Sequence, residues 1–166
     1  VCSMKIARFA VPAIAALFIL EQPACADPDT GNFQINAAHD GQIRFSKSFE
    51  APLEQRWTRK LPGLPSYPVS GEGMVFVSVD TDAGVELYAL HAKTGRVAWQ
   101  ASVQNGGAPM YDAGRVFIVS FSGLVQAFDA QTGALLWAKQ QDSSNYDNPG
   151  VVGDGNVYFV ASRSGA

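Results

Sequence analysis

Two histidines and a few separated acidic residues are the side chains of this sequence best suited to acid–base or metal chemistry. His39 lies beside Asp40 in the polar stretch Ala37–Gly41. Residues adjacent in sequence do not provide the geometry of a serine–histidine–aspartate catalytic set. His91 lies at the start of a predicted turn. We interpret both histidines as solvated turn residues, and we predict no catalytic residue.

Asp80 and Asp82, in Val79–Gly84, resemble the beginning of a calcium-binding loop. The later ligands are missing, because Glu86 is the only acid that follows closely and the 12-residue spacing is not kept. A hairpin loop is the better interpretation, so we predict no metal ligand. The polar stretch Asp142–Asn148 is predicted to connect two sheets and to be available to a partner.

The elements that carry these residues repeat along the chain. Gly73, Gly114 and Gly155 are 41 residues apart, and each precedes a short run of β-branched and aromatic residues. Such runs, bounded by glycine, proline and aspartate, are typical of strands, and no long window keeps a helical period. A period of this length indicates a repeat architecture.

A second repeated unit follows each of the first two central strands. Residues 87–99 align with residues 125–137 as a strand, a Thr-Gly turn and a second strand that ends in tryptophan. The glycines of the turn supply positive φ, and Asp129 can accept hydrogen bonds from backbone amides, whereas His91 replaces it in the earlier unit. The residues that carry this structural motif are Trp57, Trp99, Trp137, Gly95, Gly133, Thr94, Thr132 and Asp129.

Each repeat is therefore predicted to form four short antiparallel strands, which in the second repeat cover Ala108–Tyr111, Arg115–Ser120, Leu124–Asp129 and Ala134–Lys139. A four-stranded sheet repeated at 40 to 45 residues is one blade of a β-propeller. A blade cannot bury both of its faces alone, so a large aromatic residue is expected between adjacent sheets. The predicted fold class is an all-β propeller of four-stranded antiparallel blades, truncated, with about three blades present.

The pattern Ala-x-Asp-x-x-Thr-Gly-x-x-x-Trp resembles the repeat of quinoprotein-type, or PQQ-like, propellers. Ala127 to Trp137 match it in full, and Ala89 to Trp99 match it except at His91. The resemblance covers about residues 56–166. It implies the propeller fold but leaves function open, because the family includes dehydrogenases, outer-membrane assembly factors and sensor ectodomains.

Residues 1–26 are predicted to be a signal peptide. Lys5 and Arg8 precede the 12-residue apolar run Phe9–Leu20, and Ala24-Cys25-Ala26 resembles a cleavage site. Residues 27–55 are a lead-in segment, and residues 56–166 hold the repeats, which we expect to belong to a longer propeller. Cleavage would remove both cysteines, whereas a lipoprotein would keep Cys25 as its acylated residue.

These features favour an exported, non-catalytic propeller, periplasmic or extracellular, that binds a protein or a cell-surface polymer through its loops. The formal net charge is −3, and the sequence has no cluster of basic residues suited to binding nucleic acid. After processing, the chain is not expected to span a membrane. One alternative is a fragment of a PQQ-dependent dehydrogenase, in which PQQ and calcium would require residues from blades outside this sequence. The other is a propeller similar to the outer-membrane assembly factor.

Overall fold

The computed structural model describes residues 31–32, 52–141, 150–153 and 155–159. Within these ranges the regular structure consists of eleven β-strands, all paired in antiparallel fashion. None of the described residues belongs to a helix that could cross a membrane. The predicted signal peptide, Cys25, His39 and the loop Asp142–Asn148 lie outside the described ranges, as does most of the lead-in segment.

The first sheet, blade 1, has three long strands and an interrupted inner strand. Its order is β1–β3–β4–β5, and β2 also pairs with β3 beside β1. Pro68 lies between the two inner pieces and has no amide hydrogen to donate to a ladder. The bounds of the strands are β1 Leu64–Pro65, β2 Val69–Gly71, β3 Met74–Thr81, β4 Gly84–His91 and β5 Val97–Val103.

The second sheet, blade 2, has the strand order β6–β7–β8–β9, and a further hairpin, β10–β11, follows it. The bounds are β6 Met110–Asp112, β7 Arg115–Val119, β8 Leu124–Asp129, β9 Leu135–Gln140, β10 Val151–Gly153 and β11 Asn156–Tyr158. The four strands predicted for this repeat are confirmed to within two residues. The all-β architecture of repeated antiparallel sheets is therefore confirmed.

The glycines that set the 41-residue period close the tight turns at the start of each central strand. Glu72 and Gly73 have φ of 49° and 75°, and Ala113 and Gly114 have φ of 45° and 77°. Two successive positive φ values define the type I′ turn, whose twist matches that of a hairpin. The glycines therefore recur because the same turn geometry recurs in the two blades.

Blades 1 and 2 bury a shared apolar layer. Successive side chains of a strand point to opposite faces, so Val116 and Ile118 face blade 1 while Phe117 and Val119 pack against the β10–β11 hairpin. The Phe76 and Tyr111 rings stack across the blade boundary with centroids 5.7 Å apart. Each sheet therefore uses both faces, as stacked blades require.

The outer face of blade 1 is covered by the segment that precedes β1. Val77, Val79, Tyr88 and Leu90 form a buried cluster on this face, and Trp57 and Leu61 pack against it. The segment itself has no strand between residues 53 and 61. Blade 1 therefore has apolar cover on both sides within the described residues.

Each blade has a turn end and a loop end. The turn end carries the β2–β3 and β6–β7 turns together with the two Thr-Gly turns. The loop end carries the β3–β4 and β7–β8 hairpins. In β3 these ends are marked by Met74, which pairs with His91, and Asp80, which pairs with Val85.

Candidate functional site

The Thr-Gly turns at the turn end are docking sites for tryptophan. The Trp57 indole N–H donates to the Ala92 carbonyl at 2.8 Å, and the Trp99 indole N–H donates to the Ala130 carbonyl at 2.9 Å. A Cβ atom on Gly95 would lie 2.5 Å from Trp57 Cε3, and one on Gly133 would lie 2.6 Å from Trp99 Cε3. The glycine is thus needed for ring contact as well as for its positive φ.

Trp137 occupies the same position in β9 but has a different environment. Its ring is tilted against Phe117, with centroids 6.1 Å apart, and it is 41% exposed. No third Thr-Gly turn is present among the described residues to receive it. Of the three predicted tryptophans, Trp57 and Trp99 dock on the Thr-Gly turns of blades 1 and 2, and Trp137 stays partly exposed.

Asp129 caps the Thr-Gly turn of blade 2. Its Oδ1 atom accepts hydrogen bonds from the Gln131 amide at 3.1 Å, the Thr132 amide at 2.8 Å and the Thr132 hydroxyl at 2.7 Å. The Thr132 hydroxyl, followed by the two amides, holds the pKa of this exposed carboxyl below its usual value. This is the geometry expected of a carboxylate that caps the turn.

The turn of blade 1 has the same backbone without that carboxylate. The Gly95 amide donates to the His91 carbonyl at 2.8 Å, and the Gly133 amide donates to the Asp129 carbonyl at 2.9 Å. His91 replaces the acid, and no described residue accepts a hydrogen bond from the Lys93 amide. The two turns therefore differ in their side chains and charge more than in their backbone.

A cleft of about 530 Å³ opens beside the blade 1 turn. It is lined by Gly73, His91, Lys93, Thr94, Arg96 and Val97. Lys93 and Arg96 make its electrostatic character basic, and neither forms an ion pair among the described residues. Blade 2 has Gln131 and Ala134 at the corresponding positions. This basic cleft is thus a property of the first blade.

A second cleft, of about 490 Å³, lies between the blades at the loop end. It is lined by Asp80, Val85, Asn105, Gly106, Phe121 and Ser122. Phe121 is 54% exposed at the tip of the β7–β8 hairpin. Asp82 lies in the β3–β4 turn, where the Thr81 hydroxyl accepts the Ala83 amide at 3.2 Å and donates to the Gly84 carbonyl at 2.7 Å. Asp80 and Asp82 therefore belong to a hairpin, as the sequence predicts.

The described residues do not bring together a set of metal-binding side chains. Within these ranges, no three histidine, cysteine or acidic side chains come together as a ligand set. Asp80 is the acid that lines the loop-end cleft, with Asn105 and Ser122 as polar neighbours. A calcium ion requires six to eight oxygen ligands, which this donor set does not supply.

The family model described as outer membrane protein assembly factor BamB, a PQQ-like repeat model, matches residues 37–166. The chain belongs to this PQQ-like repeat family. The predicted family and the β-propeller class are confirmed, and the two described sheets are its blades. The chain matches none of the curated proteins significantly.

Solved structures of PQQ-like propellers share the fold. BamB from Moraxella catarrhalis has a TM-score of 0.53 and 23% identity, and the match covers 64% of this chain and 33% of that one. Quinohemoprotein alcohol dehydrogenase from Comamonas testosteroni has a TM-score of 0.55 and 20% identity, over 78% and 22% of the two chains. Quinohemoprotein alcohol dehydrogenase ADHIIG from Pseudomonas putida HK5 has a TM-score of 0.50 and 20% identity, over 61% and 17%. This PQQ-like chain spans a third or less of these structures.

Apart from Asp80, the sequence did not point to the residues that line the loop-end cleft. Phe121 lies in the predicted strand-to-strand turn, but an aromatic residue in a turn does not by itself predict exposure. Asn105 has a φ of 32°, and its carbonyl oxygen accepts a hydrogen bond from the Phe121 amide at 3.3 Å. The signal available in the sequence was the polar Gln104-Asn105-Gly106 connection between two repeats.

Proposed function

We propose that this chain is part of an exported, non-catalytic PQQ-like propeller that binds a partner protein through the loop end of its blades. The observation that carries the proposal is Phe121, a half-exposed aromatic residue beside a cleft between two blades. Aromatic side chains, phenylalanine included, are enriched at protein–protein interfaces relative to the rest of the surface.

The hairpin that presents Phe121 is braced by hydrogen bonds. The Leu124 amide donates to Ser120 Oγ at 2.9 Å, and the Ser120 and Ser122 hydroxyls are 3.0 Å apart. From the neighbouring strand, Gln140 Nε2 donates to the Ser122 carbonyl at 2.7 Å. A loop that is already ordered loses little conformational entropy on binding, so its exposed aromatic residue suits an interface.

The neighbouring groups would give such an interface specificity. Asp80 and Asn105 offer a charged acceptor and an amide, and Val85 adds apolar surface. This mixture of an aromatic anchor with a few polar groups is typical of the centre and rim of a protein interface. The description of the matching family model, an outer membrane protein assembly factor, also favours a protein partner.

Export belongs to the same proposal. Lys5, Arg8 and the apolar run Phe9–Leu20 have the order of a signal peptide, with cleavage proposed after Ala26. N-terminal sequencing of protein recovered from the periplasm or culture medium should find Asp27 as the first residue. Retention of Cys25 with an attached lipid would replace this part of the proposal with the lipoprotein alternative.

A photoreactive amino acid at position 121 tests partner binding. We expect a discrete cross-linked adduct with one envelope or extracellular protein, while the same probe at Gln100, which is exposed in the middle of β5 and away from both ends, gives no adduct of that size. Phe121→Ser should also lower recovery of this partner at least fivefold without lowering the melting temperature. Equal adducts from both positions, or unchanged recovery, would contradict the proposal.

An activity assay separates binding from the dehydrogenase alternative. The purified protein is incubated with PQQ, calcium, an alcohol or sugar and a redox dye. We expect dye reduction no faster than in protein-free controls. Substrate-dependent reduction that requires added PQQ would refute the non-catalytic proposal, whether or not Phe121 contacts a partner.

A further inference from the structure

The two Thr-Gly turns provide an internal comparison. His91-Ala92-Lys93-Thr94-Gly95-Arg96 aligns with Asp129-Ala130-Gln131-Thr132-Gly133-Ala134. The Ala92 and Ala130 amides donate to the Gly73 and Gly114 carbonyls, each at 2.9 Å. The turn glycines have φ of 65° and 73°. Because the backbones agree, the differences between these turns reside in their side chains.

In blade 2 a carboxylate occupies the concave side of the turn. Asp129 Oδ1 accepts two backbone amides and one threonine hydroxyl within 3.1 Å. A carboxylate is therefore a group that can accept hydrogen bonds from the donors of this turn. Charge-assisted hydrogen bonds of this kind are stronger than bonds between neutral groups.

In blade 1 the same donors have lost their carboxylate. The Lys93 amide, which corresponds to that of Gln131, has no acceptor among the described residues. The Thr94 amide donates to the His91 carbonyl at 3.1 Å, and the Thr94 hydroxyl accepts the Arg96 amide at 3.4 Å but donates to no described group. The Lys93 amide and the Thr94 hydroxyl proton thus remain for a ligand.

The substitutions around the turn also change its charge. Blade 2 has one carboxylate and no cation in the six aligned residues, whereas blade 1 has Lys93 and Arg96 and no carboxylate. Glu72, the acid next to Gly73, accepts a hydrogen bond from Gln131 in blade 2 at 3.0 Å. Trp57, docked on this turn, is flanked in sequence by the exposed cations Arg56, Arg59 and Lys60.

We infer that the basic cleft of blade 1 binds a carboxylate side chain of an acidic polypeptide segment, in the place that Asp129 occupies in its own turn. The carboxylate accepts hydrogen bonds from the Lys93 amide and the Thr94 hydroxyl, and Lys93 and Arg96 neutralise it. The cleft volume of about 530 Å³ accommodates a side chain with its flanking backbone. This site does not depend on Phe121, which is at the other end of the blades.

Binding of a fluorescent deca-glutamate peptide to the purified full chain tests the inference, with anisotropy as the readout. We expect saturable binding by the wild-type protein. His91→Asp restores an internal carboxylate to the turn, so it should weaken binding at least about tenfold by occupying the same donors. Its melting temperature should not fall, because the substitution supplies the cap seen in blade 2.

Three further variants distinguish the site from general electrostatics. Lys139→Gln changes the formal charge by the same one unit as His91→Asp, with histidine counted as neutral, but acts on exposed β9. It should retain affinity within about threefold, as should His91→Gln, which removes the ring without adding a carboxylate. Lys93→Gln combined with Arg96→Ala introduces the residues of blade 2 and should abolish saturation.

Three results would overturn the inference. They are absence of saturable binding by the wild-type protein, wild-type affinity in His91→Asp, and equal weakening by His91→Asp and Lys139→Gln. A deca-lysine peptide that bound as tightly as deca-glutamate would also exclude carboxylate recognition. None of these results affects the test at Phe121, so the two proposals fail separately.

Discussion

Replacement of Gly133 by alanine isolates the energy of tryptophan docking. The new Cβ would lie 2.6 Å from Trp99 Cδ2 and Cε3, and φ at this position is +73°. These atoms belong to a rigid fused ring whose N–H is bound to Ala130, so the whole indole must move. The substitution therefore adds both backbone strain and loss of the docked ring.

The expected magnitude follows from these parts. The left-handed conformation costs alanine about 1 kcal/mol relative to glycine. Loss of the indole hydrogen bond costs about 1 kcal/mol, and loss of ring packing costs roughly another 1 kcal/mol. We therefore expect Gly133→Ala to lower the free energy of unfolding by about 3 kcal/mol.

Gly73→Ala is the matched control. Gly73 has φ of +75°, and nothing lies within 4 Å of a Cβ placed there. Its substitution should cost about 1 kcal/mol, from backbone strain alone. The difference between the two variants, about 2 kcal/mol, is then the energy attributable to Trp99.

Urea unfolding followed by circular dichroism measures both variants. A third and a fourth protein, Trp99→Leu with and without Gly133→Ala, complete a double-mutant cycle. In the Trp99→Leu background, Gly133→Ala should cost no more than Gly73→Ala does in the wild type. If Gly133→Ala and Gly73→Ala agree within about 0.5 kcal/mol, the docking argument is refuted.

Three smaller perturbations test other contacts. Ser78→Ala removes a buried hydroxyl that donates to the Gly107 carbonyl at 2.9 Å, so chemical unfolding should show a free energy of unfolding lower by about 1 kcal/mol. An unchanged free energy would mean that this link between blades is dispensable. Because the pKa of Asp129 is lowered in the folded state, its carboxylate stabilises the fold above the ordinary pKa, and this contribution is lost as pH falls through the folded pKa. The difference in unfolding free energy between wild type and Asp129→Asn should therefore disappear on acidification, and a difference independent of pH would count against the cap. Burial raises the pKa of Tyr67 to about 12, so its stabilising contribution declines from pH 10 to about 12. In an ultraviolet titration Tyr67→Phe should lose one phenol from the late-ionising fraction, and an unchanged fraction would contradict the assignment.

The repeated elements could be predicted because their causes are local. Glycine at fixed intervals reports the positive φ of turns, and short continuous runs of β-branched and aromatic residues report strands with two buried faces. The bounds of β8 are those predicted, Leu124–Asp129. Docking of tryptophan between sheets was also foreseeable, since a large ring followed each Thr-Gly turn at a fixed distance.

The loop-end cleft could not be predicted, because it arises from contacts between repeats. Phe121 and Asp80 are 41 residues apart and belong to different blades, and their proximity depends on how the blades stack. The interrupted inner strand of blade 1 likewise depends on β1 reaching Val79 and Asp80. A periodic pattern specifies each sheet but not the shape of the space between two sheets.

The departure at His91 is informative because the backbone hydrogen bonds and the glycine φ values of the two turns agree. At this turn the absence of the carboxylate coincides with Lys93 and Arg96, which give the adjacent cleft a basic character that the aligned residues of blade 2 lack. Repeats fold by what they have in common, so recognition of a particular partner must come from the positions where they differ. On this reasoning, the first Thr-Gly turn and the Phe121 hairpin are the two places where substitutions should change binding while the sheets remain intact.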